Sequence, residues 1–186
     1  MKRLILSAAA ALMLSCAFAQ SGGYKISGKA DFAKDGDKVY IADMQYINLI
    51  PTDSTIVKDK KFSFTGKQNA AALKFFVLMH DGKPLSMNDF ILENVDMQVE
   101  LFNDSTKKLA DVIGSKSTEL WREFCKLDKE FATPQEESWK VVNDSTASEA
   151  AKKTAKEKLD SIDKLQEAFR TKFICEHTPS SFSDML

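Results

Sequence analysis

Between Tyr24 and Val112, apolar and polar residues alternate in short runs separated by turn residues. A period of two is the pattern of half-buried strands. Tyr24–Gly28 and Lys38–Ala42 read as the first two strands, with the turn Lys34-Asp35-Gly36-Asp37 before the second. Ser54–Val57 and Lys61–Thr65 are expected to pair as a hairpin around Lys58-Asp59-Lys60, with Phe62 and Phe64 on one face. Leu73–Met79 is apolar throughout, as expected of a central strand covered on both faces, and His80–Pro84 closes it as a loop. Asp89–Leu92 and Met97–Leu101 are expected to form a further pair, the latter alternating Met97, Val99 and Leu101 with Gln98 and Glu100. The alternation places Phe62, Phe64, Phe75, Val77, Val99 and Leu101 in the core.

Beyond Gly114 the period changes. Leu120, Phe124, Leu127 and Phe131 recur at helical spacing, with Ser115 or Ser117 to cap the start and Thr133-Pro134 to stop it. Thr146 with Glu149 reads as a capping box for a second helix. Ala155, Leu159, Ile162, Phe169 and Phe173 form its apolar stripe, and Thr178-Pro179 ends it. Its opposite face, rich in Lys and Glu, is most simply a solvated surface. The expected class is α+β: an antiparallel β-sandwich or partly open barrel over residues 20–114, followed by a helical appendage of two helices over 115–186.

The first 19 residues stand apart. Lys2 and Arg3 precede an apolar run from Leu4 to Ala19 that closes on Ala17-Phe18-Ala19, the anatomy of a secretory signal peptide. The mature chain is expected to begin at Gln20 and to work in the periplasm or outside the cell. Cys16, behind Leu14-Ser15, offers a second reading, a lipoprotein site that would anchor the chain to a membrane. The Ala-x-Ala site fits the cleavage rule better, because the position three before Cys16 is Met13 rather than Leu.

Composition bounds the function. With 44% hydrophobic and 28% charged residues, the chain resembles an ordinary soluble domain able to bury a core. Its formal net charge is -1, and removing Lys2 and Arg3 makes it -3, so no basic excess points to nucleic acid or an anionic membrane. No phosphate-binding glycine loop and no Cys-x-x-Cys is present. His80 and His177 are isolated and lack ligand-spaced partners, so no metal or other cofactor is expected.

Cys125 and Cys175, on different expected helices, are the candidate reactive thiols. If the first helix stops at Thr133-Pro134, Phe131 neighbours Ala147 across a simple hairpin and Cys125 faces Thr154. Cys175 would then lie ~30 Å away at 1.5 Å per residue, too far to bridge.

Asp-Ser followed by Thr or Ile occurs at Asp53-Ser54-Thr55, Asp104-Ser105-Thr106, Asp144-Ser145-Thr146 and Asp160-Ser161-Ile162. The pattern resembles the acceptor of a bacterial periplasmic O-glycosylation system, which makes Ser54, Ser105 and Ser145 candidate sites. Ordinary turn and cap chemistry explains the same residues.

Tyr24-Lys25-Ile26-Ser27-Gly28, Asp37-Lys38-Val39-Tyr40-Ile41, Asp53-Ser54 and Lys61-Phe62-Ser63-Phe64-Thr65-Gly66 together carry a family resemblance. They resemble the N-terminal domain of unknown function that precedes the thioredoxin domain in TlpA/ResA-like envelope thiol–disulfide oxidoreductases of Gram-negative bacteria. Val112-Ile113-Gly114-Ser115 is similar to that family's link toward its catalytic domain, and Glu176–Ser181 to the segment before the thioredoxin fold. The family's redox Cys-x-x-Cys belongs to the thioredoxin domain, and no residue here matches it. The resemblance therefore implies a non-catalytic envelope module that binds a partner protein or ligand. The alternative is a docking component for a separate thioredoxin-like protein, with Cys125 or Cys175 forming mixed disulfides.

Overall fold

The structure, a computed structural model, describes residues 22–178. The expected leader, with Cys16 and the Ala17–Ala19 exit, lies outside the described residues, as does Pro179. Eight strands precede two helices: β1 Tyr24–Lys29, β2 Lys38–Gln45, β3 Asn48–Ile56, β4 Lys61–Gly66, β5 Ala72–His80, β6 Lys83–Leu92, β7 Asp96–Glu100, β8 Asp111–Ile113, α1 Lys116–Asn143 and α2 Glu149–Glu176. A single 3-10 turn, Asp104–Thr106, separates β7 from β8. The strands form two four-stranded sheets, ordered β4-β1-β7-β8 and β3-β2-β5-β6. The α+β class stands, and the β region is an open sandwich rather than a closed barrel.

The sandwich interior is built by the inward positions of both sheets. Ile26, Val39, Ile41, Phe62, Phe64, Phe76, Leu78, Phe90, Leu92, Met97, Val99, Leu101 and Val112 all lie in one buried cluster. Phe76 and Phe90 stack at 3.8 Å between centroids, and Phe62 meets Phe76 edge-on at 6.3 Å. Gly28, opposite Phe62 in the β1–β4 ladder, leaves room for that ring, which a Cβ would approach to 2.1 Å.

Both expected hairpins are corrected. β3 pairs antiparallel with β2 and β4 with β1, so the chain crosses from one sheet to the other at Val57–Lys60. Only a Lys58–Lys61 bridge remains of the expected turn. Likewise β6 pairs with β5 while β7 joins β1, and joins it parallel. A sandwich gains by putting consecutive apolar faces on opposite layers, and the local alternation is the same whichever layer receives them. The expected loop after the central strand is instead a two-residue hairpin turn, Asp81-Gly82, with both φ angles positive. His80 therefore belongs to β5.

The facing of β5 is also corrected. Phe76 and Leu78 enter the core, whereas Phe75 is only half-buried and shares the outer face with Val77, which is buried there. A run apolar at every position carries no alternation from which to read its facing.

Pro134 does not stop the first helix, which runs through it to Asn143. Proline inside a helix costs about 3 kcal/mol, and the contact with α2 along the full length offsets that cost. Asp128 accepts from Arg170 Nε at 3.0 Å and from Gln166 Nε2 at 3.0 Å, while Gln135 Nε2 donates to Asp163 at 3.1 Å. Phe124 packs on Phe169 and Phe173. The two apolar stripes thus meet as the periodicity indicates. Ser115 caps α1, its Oγ accepting from Thr118 N at 3.0 Å. The cap of α2 is Ser148 rather than Thr146.

The helical pair is fixed to the sandwich at its sheet end. Glu93 accepts from Ser115 Oγ at 2.7 Å and from Ser117 Oγ at 2.8 Å, beside the α1 N-terminus. Thr118 Oγ1 accepts from Ile91 N at 3.0 Å, and Arg122 donates to the Ala110 carbonyl.

Candidate functional site

The two sheets differ on their outer faces. The outer face of the first sheet is mostly polar: Ser27, Lys29, Lys61, Gln98, Glu100 and Asp111 line a shallow depression together with the exposed Ile113, and a Lys29–Glu100 ion pair at 2.7 Å crosses it. The outer face of the second sheet is apolar. Its β6 end is covered by the first turns of α1, where Ile91 is fully buried. Away from that helix, Tyr40, Ala42, Leu49, Pro51, Val77, Met79 and Pro84 line an open groove of about 410 Å³.

The β2–β3 hairpin extends this face beyond the sheet. β2 pairs with β5 only from Lys38 to Ala42, and a bulge at Ile41/Ala42 then turns the hairpin away. Thr52 Oγ1 donates to the Ile41 carbonyl at 3.1 Å and steadies the bulge. The buried Lys74 holds the hairpin base through Asp43 at 2.6 Å. From Met44 to Pro51 the chain carries no charge. Its two-residue tip is Tyr46-Ile47, with Tyr46 99% and Ile47 91% exposed. Tyr46 has φ +56°, a region that favours Gly or Asn and is costly for a bulky side chain.

At its other end the groove meets a polar cleft of about 470 Å³, with Tyr40 and Met79 belonging to both. The cleft is organised by Asp37, whose side chain is almost fully buried. Asp37 Oδ2 accepts from Lys34 N at 2.9 Å, and Oδ1 lies 2.5 Å from His80 Nδ1. Burial pushes the Asp37 carboxyl upward, but the Lys34 N–H bond and His80 outweigh it and hold the carboxyl below its ordinary range. His80 Nε2 faces outward, 3.4 Å from Lys34 Nζ and 3.3 Å from Asp81 Oδ2. Among the described residues, no group of three or more His, Cys, Asp or Glu side chains is placed to hold a metal ion.

The thiols sit elsewhere. Continuing the Gln135–Asp163 and Asp128–Arg170 pairs along the hairpin brings Phe173 level with Cys125, so Cys175 is displaced only ~3 Å along the axis. The expected ~30 Å separation is corrected, because it depended on Pro134 ending α1. Both are nevertheless free thiols. Cys175 follows the inward-facing Phe173 by two residues, about 200° around the helix, and is exposed. Cys125 is half-buried against the aromatic cluster, and burial with nearby Asp89 and Asp128 pushes its pKa to about 11. Ser54, Ser105 and Ser145 are all exposed. Two of the preceding carboxylates are engaged locally, Asp53 with Ser54 N at 2.7 Å and Asp144 with Thr146 N at 2.8 Å, whereas Asp104 reaches across to Met87 N of β6 at 3.1 Å.

A family model described as a domain of unknown function, DUF4369, matches residues 24–121. The chain belongs to the DUF4369 family. The DUF4369 match starts with β1 and ends at Trp121, in the second turn of α1. It therefore takes in both sheets, the β2–β3 tip, the groove and the Asp37–His80 pair, and it stops where the helical pair leaves the sandwich. No curated protein and no solved structure matches the chain.

Sequence reading missed both the tip and the Asp37–His80 pair. Tyr46-Ile47 lacks the Gly or Asn that announces a two-residue turn. His80-Asp81-Gly82 does contain the Asp-Gly signal of a tight hairpin, which was the available clue to the position of His80.

Proposed function

We propose that this DUF4369 protein is a non-catalytic module of the cell envelope that binds a partner protein or ligand on the outer face of its second sheet. The observation that carries this reading is the contrast between the two outer faces. One carries charged and polar side chains around the exposed Ile113, while the other presents an uncharged apolar groove and an uncharged projecting tip. Contiguous apolar surface of this kind is the ordinary mark of an interaction site.

Export is supported by the leader anatomy of residues 1–19 and by the resemblance to the accessory domain of envelope thiol–disulfide oxidoreductases. Soluble release after Ala19 is preferred to anchoring through Cys16. The alternative role, docking within a thiol–disulfide system through mixed disulfides, is less favoured. A half-buried thiol with a pKa of about 11 is a poor nucleophile, and the exposed Cys175 has no vicinal resolving thiol.

Photo-crosslinking in cells exporting the chain tests the binding reading. A crosslinking amino acid at Met87, on the apolar face, is expected to yield discrete adducts, whereas one at Ser63, on the polar face, is expected to yield none. The absence of adducts from Met87 would overturn it.

A further inference from the structure

We infer that the occupant of the apolar groove is the β2–β3 tip of a second copy of this chain, so that the protein self-associates through reciprocal tip-in-groove contacts. The inference rests on the reading of this face as a binding surface and names what covers it.

Folding alone gives no reason for the tip. Tyr46 is held at positive φ, and its ring lies in water with Ile47 beside it. A Gly or Asn would make the same turn with less strain. The tip and the groove are continuous, because Leu49 and Pro51 of the same hairpin form one wall of the groove. Because knob and recess belong to one patch, a twofold axis that seats one tip seats the other as well, residue i meeting j and j meeting i.

The area suits a weak pair. Tyr46 and Ile47 offer roughly 300 Å² per copy, an aromatic side chain alone supplying 150–250 Å². With the groove lining added and both tips engaged, the total is about 800 Å², the size of a weak, transient interface. Charge also favours a protein over a bilayer. No Lys or Arg occurs between Met44 and Pro51 to hold lipid headgroups, and an uncharged tip enters an uncharged groove without repulsion.

Sedimentation equilibrium of the purified protein from 1 to about 300 µM is the test, the range suiting an interface of this size. A monomer–dimer equilibrium with its midpoint in the upper part of that range is expected. It should be abolished by Tyr46→Gly with Ile47→Ser, which relaxes the turn, and by Leu49→Glu in the groove wall. Ser63→Glu on the first sheet should leave it unchanged, and unaltered circular dichroism melts would show that the variants fold. A chain that is monomeric throughout, or a dimer that survives both variants, overturns the inference. Tip-dependent flotation of a monomeric chain with neutral phosphatidylcholine vesicles overturns it in favour of a membrane. A monomeric chain that still forms Met87 adducts with a different protein overturns it while leaving the binding reading intact.

Discussion

The indole Nε1 of Trp121 donates to Asp89 Oδ2 at 2.7 Å, joining α1 to the outer face of β6. This contact lies beside the Glu93 and Thr118 bonds that fix the helix N-terminus, and together they set how much of the apolar face the helix covers. Trp121→Phe keeps a ring at the site but removes the donor. It is expected to lower stability by about 1–3 kcal/mol, because the partly buried Asp89 carboxylate loses a partner. Urea denaturation with an unchanged m-value would check this, and a change within error would show that the bond contributes nothing to helix docking.

Replacing Phe76 and Phe75 separately by Ala tests the facing of β5. Phe76 is fully buried and stacked on Phe90, so its truncation should cost about 3–5 kcal/mol. Phe75 is half-buried on the outer face and should cost distinctly less. Equal or reversed values in equilibrium unfolding would contradict the inward position of Phe76.

The Asp37 carboxyl is held below its ordinary pKa in the folded state. Its stabilisation is therefore present above the unfolded value and is lost as pH falls through the folded one, which places the loss below about pH 4. Asp37→Asn should cost about 1.5–3 kcal/mol at pH 7, the range for hydrogen bonds to a charged group. The gap between variant and parent should narrow at pH 3. A gap independent of pH between 3 and 7 would argue against an ionised Asp37 in the fold.

Cys175 should react with a disulfide reagent at pH 8 in the folded protein, while Cys125, with a pKa of about 11, should react only on unfolding. No catalytic turnover is expected in an insulin-reduction assay with dithiothreitol, since neither thiol has a vicinal resolving partner. A rate above the reagent background that disappears in Cys125→Ser or Cys175→Ser would reverse that expectation.

Intact-mass analysis and N-terminal sequencing of the exported product should find Gln20 at the start. A lipid-modified Cys16 would instead place the chain on a membrane. In a host with the glycosylation system, added hexose should map to the exposed turn residues Ser105 and Ser145 and disappear in their Ala variants. Unmodified peptides at all three candidate serines, Ser54 included, would leave Asp-Ser there as turn and cap chemistry alone.

Periodicity by itself determined the strands around Phe62, Phe64, Val99 and Leu101, the helical stripes through Phe124 and Phe173, and the Ser115 cap. These depend on spacing within one element, which the order of residues states directly. Only the tertiary structure decided which sheet received each strand, because alternation is blind to the identity of the opposing layer. It also decided the facing of Phe75 and Phe76 within an unbroken apolar run, and the passage of α1 through Pro134, where helix-to-helix packing outweighs a local penalty. The candidate surface was legible least of all. The partnership of Asp37 with His80 spans 43 positions, and the apolar face stays open because a helix docks on β6 and stops short of β2 and β3. Both follow from where whole elements are placed, a quantity set by the balance of burial across the sandwich and not by any one stretch of chain.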